Sequence, residues 1–180
     1  MFLLISFMCK AQVVYPISTF STDIPAGSYI KDLNNDLDNF VGIYVATFNG
    51  NFIYLNIGKE VKKTLNKKSN FVYYRDQLVI TYEVKNGLGQ ILQSTLVTNS
   101  NINKIYSIYF NKIDNIMMMH YIGTNCSVGW GTIELKKING FQLNWTYYPN
   151  SSVLTNINCP GNPDTNVYLP ATENLIFTKQ

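Results

Sequence analysis

Scarcity in this chain narrows its chemistry. Among 180 residues there is one histidine, His120, and one arginine, Arg75. A lone histidine excludes a histidine-containing triad or a two-histidine metal site within one chain, and three cysteines are too few for a cysteine-rich zinc site. Charged residues make up 14% of the chain, and a net charge of +3 is too weak to mark a nucleic-acid or anionic-membrane binder. The apolar run from Phe2 to Met8 is far too short to span a bilayer. P-loop and dinucleotide fingerprints are missing, as are solenoid or propeller repeats and low-complexity tracts, so no cofactor is implied.

What the chain does hold is β-sheet material. Hydrophobic residues reach 46% and aromatics 14%, with 13 tyrosines. From Phe40 onward, short apolar or alternating runs are separated by turn residues, and no long stretch keeps a helical period. Asn-Gly pairs at 49–50, 86–87 and 139–140 predict two-residue hairpins and sequential antiparallel neighbours. The predicted strands are 41–48, 52–61, 71–84, 89–97, 104–111, 115–122, 130–138, 141–148 and 173–179. Within FQLNWTY, Phe141, Leu143, Trp145 and Tyr147 share one face while Gln142, Asn144 and Thr146 share the other. The same alternation sends Leu78, Ile80, Tyr82 and Val84 inward, with Thr81, Glu83 and Lys85 outward, and it points Ile133 and Leu135 inward. VGIYVATF, KIYSIYF and IMMMHYI are apolar on both faces, so the terminal segments are expected to cover their outer side.

The first eleven residues read as a signal peptide with an apolar core and a small-x-small ending at Cys9 and Ala11, which leaves 12–180 as one β-barrel domain. Export leaves Cys126 and Cys159 as an even pair, and a disulfide follows, worth about 3 to 4 kcal/mol by loop entropy. The alternative is two unpaired thiols in a chain kept inside the cell.

The segment DLNNDLDN invites a calcium reading, with Asp32, Asn34 and Asp36 at the first, third and fifth positions of an EF-hand loop. Leu37 stands where that loop needs glycine and Ile43 where it needs glutamate, so no metal site is expected. Leu33, Leu37, Phe40 and Val41 instead fit one face of a short amphipathic helix. The lysine run KEVKKTLNKK, from Lys59 to Lys68, reads as a solvated hairpin, the rival reading being an anion-binding patch. His120 fits a half-buried strand position, Met117 to Met119 fit core filling, and Glu83 and Glu134 face outward with no shared cleft. The stretch from Tyr147 to Pro170 is a long irregular excursion, either a functional loop or a stapled structural one.

A short helix leading into FVGIY and about eight meandering strands resembles the lipocalin and calycin barrels, whose first strand carries Gly-x-Trp; here it is Gly42-Ile43-Tyr44. That resemblance implies an antiparallel up-and-down barrel of eight to nine strands, capped by the helix, with the aromatic residue packed inside beneath an arginine from a late strand. Tyrosine replaces tryptophan, and Arg75 lies on an early strand. The Ala-Gln signal ending, KDLNNDLDNFVGIY, YYRDQLVITYEVKNG and the late cysteines together resemble a family of uncharacterised exported proteins of Gram-negative bacteria, which carries no assigned activity. The expected function is non-enzymatic binding of a small apolar ligand in the barrel or at its mouth, by Tyr44, Tyr82, Leu143 and Trp145. The alternative is a protein or cell-surface interaction module with a filled barrel and contacts made by loops.

Overall fold

The computed structural model describes residues 11–67, 71–96 and 105–180. The expected signal-peptide core and Cys9 lie outside the described residues. The chain forms β1 (Val14–Pro16), β2 (Tyr29–Lys31), a 3-10 turn (Asp36–Phe40), β3 (Gly42–Phe48), β4 (Asn51–Lys67), β5 (Phe71–Lys85), β6 (Ile91–Ser94), β7 (Ile105–Asn111) and β8 (Ile116–Tyr121). A second 3-10 turn (Asn125–Ser127), β9 (Gly131–Lys137), β10 (Gln142–Pro149) and β11 (Leu175–Lys179) follow.

Eight of these strands close an antiparallel barrel in the order β5, β4, β3, β11, β10, β9, β8, β7 and back to β5. Alternation explains which side chains enter it. Tyr44, Leu55, Leu78, Ile80, Tyr82, Ile133, Leu135, Leu143 and Trp145 all project inward and are fully buried. A void as large as a water molecule beside any of them would leave it accessible surface, and Trp145, the largest, is 0% exposed. These side chains therefore fill the space they enclose.

Several expectations need correction. The helix over Leu33 to Val41 is a five-residue 3-10 turn. Asn35 takes a left-handed φ of 58°, which breaks helical geometry before Asp36, so Leu33 leaves the apolar face and is 57% exposed while Leu37 and Phe40 stay buried. Only the first Asn-Gly pair forms a two-residue turn, with φ of 49° at Asn49 and 77° at Gly50. At the other two, the Asn86 and Asn139 carboxamide oxygens accept from backbone N–H groups two residues on, making Asx turns inside longer loops. The stretch expected as a strand at 89–97 supplies β6, a short flap on β5 outside the barrel. Phe141 sits in the turn before β10, 72% exposed, rather than in the core. Lys59 to Lys67 of the lysine run lie in β4, which runs on past a bulge between Glu60 and Lys63 and pairs with β5 as the first arm of a hairpin; Lys68 lies outside the described residues.

The meander is also not purely antiparallel, because β1 pairs parallel to β2 and β2 parallel to β5. This N-terminal segment covers β7. Phe20 stacks flat on Tyr109 at 4.1 Å between ring centroids, and the Phe110 N–H donates to the Ile17 carbonyl. The buried Arg75 guanidinium also donates to that carbonyl, at 3.4 Å, so the sole arginine pins the N-terminal segment to β5. The aromatic outer face of β7 is thus sheltered, as its two-sided apolar pattern requires.

Candidate functional site

Of the residues expected to bind a ligand, Trp145 and Leu143 are wholly enclosed by neighbours. The Trp145 indole Nε1 donates to the Pro170 carbonyl at 3.0 Å, and its rings lie against Phe177 and Tyr147. Tyr82 donates to the Gln93 carboxamide oxygen at 2.9 Å and its hydroxyl lies 3.0 Å from that of Tyr121, while Gln93 donates to the Thr124 hydroxyl at 2.8 Å. Burial pushes the Tyr82 phenol up to about 12, and burial followed by the neighbouring Tyr82 pushes Tyr121 higher still. Both phenols stay protonated at neutral pH, and the chain ties β5, β6 and β8 together at one end of the barrel.

Tyr44 lies at the opposite end. Lys137 donates to its hydroxyl at 3.1 Å, and the Lys137 and Lys179 ammonium groups lie 5.3 and 5.7 Å from its ring centroid. The cationic partner expected from a late-strand arginine is thus supplied by two lysines. Alternation carried one step further along GTIELKK, past Ile133 and Leu135, reaches Lys137, and the same step past Phe177 reaches Lys179.

The acidic run resolves into a cap. Asp32 is buried, and its carboxylate accepts from the Asp36 and Leu37 N–H groups at 2.8 and 3.1 Å, satisfying the start of the 3-10 turn. Lys59 bridges Asp32 and Asp38 at 2.9 and 2.7 Å, so an ammonium pairs with the first carboxylate of the calcium-loop pattern. Asp76, also buried, accepts from the Tyr29 hydroxyl at 2.5 Å, the Lys62 N–H at 2.8 Å and the Asp32 N–H at 3.0 Å. Burial works against its ionisation, yet those three bonds and the Lys59 charge hold Asp76 below the usual carboxylate range. Among the described residues no group of three or more His, Cys, Asp or Glu is placed to hold a metal ion.

The long loop after β10 carries exposed apolar residues on a stapled frame. Cys126 and Cys159 are disulfide-bonded, with Cα atoms 5.4 Å apart. The Asn150 N–H donates to Trp130, Ser152 to Ser127, and Asn125 to Asp164, so polar contacts flank the staple on both sides. Within the loop, the Asn158 carboxamide accepts from the Thr155 N–H and donates to Val153, each at 2.8 Å. Beneath it, Cys126 and Ser127 both take left-handed φ values, of 56° and 57°. Gly123 is needed there, since a Cβ would lie 2.5 Å from the Ser127 carbonyl carbon. This fixed frame presents Val153, Leu154 and Ile157 to solvent, with Val153 83% and Ile157 93% exposed.

Beside the staple lies an open groove of about 420 Å³ lined by His120, Ile122, Ser127 and the exposed Trp130. His120 packs edge-on against Tyr106, and burial lowers its pKa, so the imidazole is neutral at pH 7. A second hollow of about 340 Å³ lies on the outer barrel wall between Ile43, Tyr54, Glu83 and Leu96. Neither Trp130 nor Ile157 stood out in the sequence. Exposed apolar residues within a run of Asn, Pro and Ser carry no periodic signal.

No helix among the described residues is long and apolar enough to cross a membrane. The chain matches no curated protein and no solved structure. The model of one protein family matches residues 1–180, the whole chain, and the protein therefore belongs to DUF6705, a family of unknown function.

Proposed function

We propose that the protein is a non-enzymatic, exported interaction module, in which a filled barrel holds a recognition surface made of the stapled loop and the adjoining Trp130 groove. The observation that carries this is the exposure of Val153, Leu154 and Ile157 on a loop fixed by a disulfide and by its own hydrogen bonds. Each aliphatic side chain removed from water contributes about 1.5 to 3 kcal/mol, and a loop already ordered loses little entropy on docking. A projecting apolar tip beside an exposed tryptophan suits a concave apolar patch on another protein. An oxidising location outside the cytoplasm is consistent with the disulfide. The rival reading, a small apolar ligand in the barrel, needs interior space that Tyr44, Tyr82, Leu143 and Trp145 occupy themselves.

The test is site-specific photo-crosslinking in cells that make the protein, with the probe at Leu154 or Ile157 and, as control, at Ile113, an exposed residue at the other end of the barrel. Discrete adducts from the loop positions, absent at Ile113, are expected. Equal labelling at all three positions would reject the loop as the recognition surface.

A further inference from the structure

The end of the barrel opposite the stapled loop holds two cations that no acid among the described residues neutralises. Lys137 ends β9 and Lys179 ends β11, and both reach the Tyr44 ring. Lys137 donates to the Tyr44 hydroxyl and, at 3.4 Å, to the Gly140 carbonyl; Lys179 donates to the Val41 carbonyl at 2.8 Å. All of these acceptors are neutral. Among the described residues no carboxylate lies within ion-pair distance of either ammonium, whereas Lys59 has two and Lys63 and Lys85 have one each. Two like charges facing one ring repel, and the fold nonetheless builds around them. The Lys179 stem crosses Gly42, where a Cβ would lie 2.4 Å from its Cε, so the glycine clears the path that brings this ammonium to Tyr44.

The hydrogen bonds found among the described residues use two of the three Lys137 ammonium protons and one of the three on Lys179. Three donors and two positive charges thus remain at a half-buried rim. We propose that Lys137 and Lys179 form a binding site for a phosphate group, whose peripheral oxygens match those donors and whose charge removes the repulsion between the two ammoniums. Burial and the Lys179 charge, in that order, already lower the Lys137 pKa, and a bound anion would reverse the second effect. This inference is independent of the stapled loop.

Titration of the folded protein with inorganic phosphate at low ionic strength, followed through the backbone amide resonances of Gly42 and Gly140, tests it. Saturable shifts at these two amides are expected, with a Kd on the order of 1 mM or tighter. Lys137→Met and Lys179→Met should each weaken binding about tenfold, an effect of the size expected from one ammonium at a partly desolvated rim, while Lys112→Met leaves it unchanged. Lys137→Gln, which can still donate to Tyr44, replaces the methionine variant where that one fails to fold. Sedimentation with vesicles containing phosphatidic acid assigns the source: co-sedimentation lost in the same variants points to a lipid headgroup, and its absence beside intact phosphate binding points to a free phosphate. Shifts that do not saturate, or that persist in both lysine variants, would overturn the site.

Discussion

Replacing Asp76 by asparagine keeps the shape of the side chain and removes only its charge and one acceptor. In the native protein one carboxylate oxygen accepts from the Tyr29 hydroxyl and the Lys62 N–H, and the other accepts from the Asp32 N–H. An amide oxygen can keep the first pair, but its NH2 group then faces the Asp32 N–H, donor against donor. A hydrogen bond to a charged group contributes about 1.5 to 3 kcal/mol, a neutral one about 1, and a buried donor left opposed costs about 1 to 3. The cheaper burial of a neutral amide offsets part of this, leaving a net loss of about 3 kcal/mol at pH 7. The sign of the pH dependence follows from the depressed folded-state pKa of Asp76. Its contribution is whole above the unfolded value of about 3.9 and is lost as pH falls through the folded value. Once protonated, the native side chain is as neutral as the amide, so the gap between the two proteins should narrow towards pH 3. Urea unfolding followed by tryptophan emission at pH 7, 5, 4 and 3 measures it. A gap below about 1 kcal/mol at pH 7, or one that stays constant down to pH 3, would show that the three bonds do not act as described.

Trp145→Ala should cost about 3 to 5 kcal/mol, and in a Trp130→Phe background an apolar naphthalene dye should leave Trp145 emission unchanged; saturable quenching would show that the barrel admits a ligand after all. Calorimetric titration with calcium should show no binding tighter than about 1 mM, because Lys59 occupies the acidic run, and a micromolar affinity would contradict that account. A Cys9→Ser protein, denatured without reductant, should show no free thiol, and reduction should lower its stability by about 4 kcal/mol given the 33-residue separation of Cys126 and Cys159. Two titratable thiols before reduction would refute the bond.

Strands wet on one face declared themselves in the sequence. Leu143 against Asn144 and Tyr82 against Glu83 alternate because one neighbour meets the core and the other meets water, and the interior wall followed from that. Where both faces carry apolar residues, as at β7 and β8, the pattern vanished, and with it any means of foreseeing that Phe20 would stack on Tyr109. The 3-10 turn was misread because helical spacing was present but the left-handed Asn35 was not visible in it. Single polar residues with distant partners were the least legible. Asp32 and Lys59 are 27 positions apart, and their pairing depends on how β4 passes the cap. The candidate recognition surface was half legible: the staple followed from cysteine parity, while the exposed tip did not, since exposure belongs to the folded shape.

The far edge of β5 is shared by three short segments. β2 takes it at Tyr74 and Arg75, β7 at Val79 and Ile80, and β6 from Glu83 to Lys85. Among the described residues the barrel is therefore zipped shut along this seam by only two residue pairs, against fourteen between β4 and β5. The N-terminal segment acts as a gasket over the remainder. A protease cut between β2 and β3 that released this segment would leave the barrel wall standing but uncover a run of unpaired backbone on β5, a ready dock for the same strand of a second molecule. The protein's solubility would then hinge on a three-residue strand, and clipped preparations would be expected to pair edge to edge before they unfold.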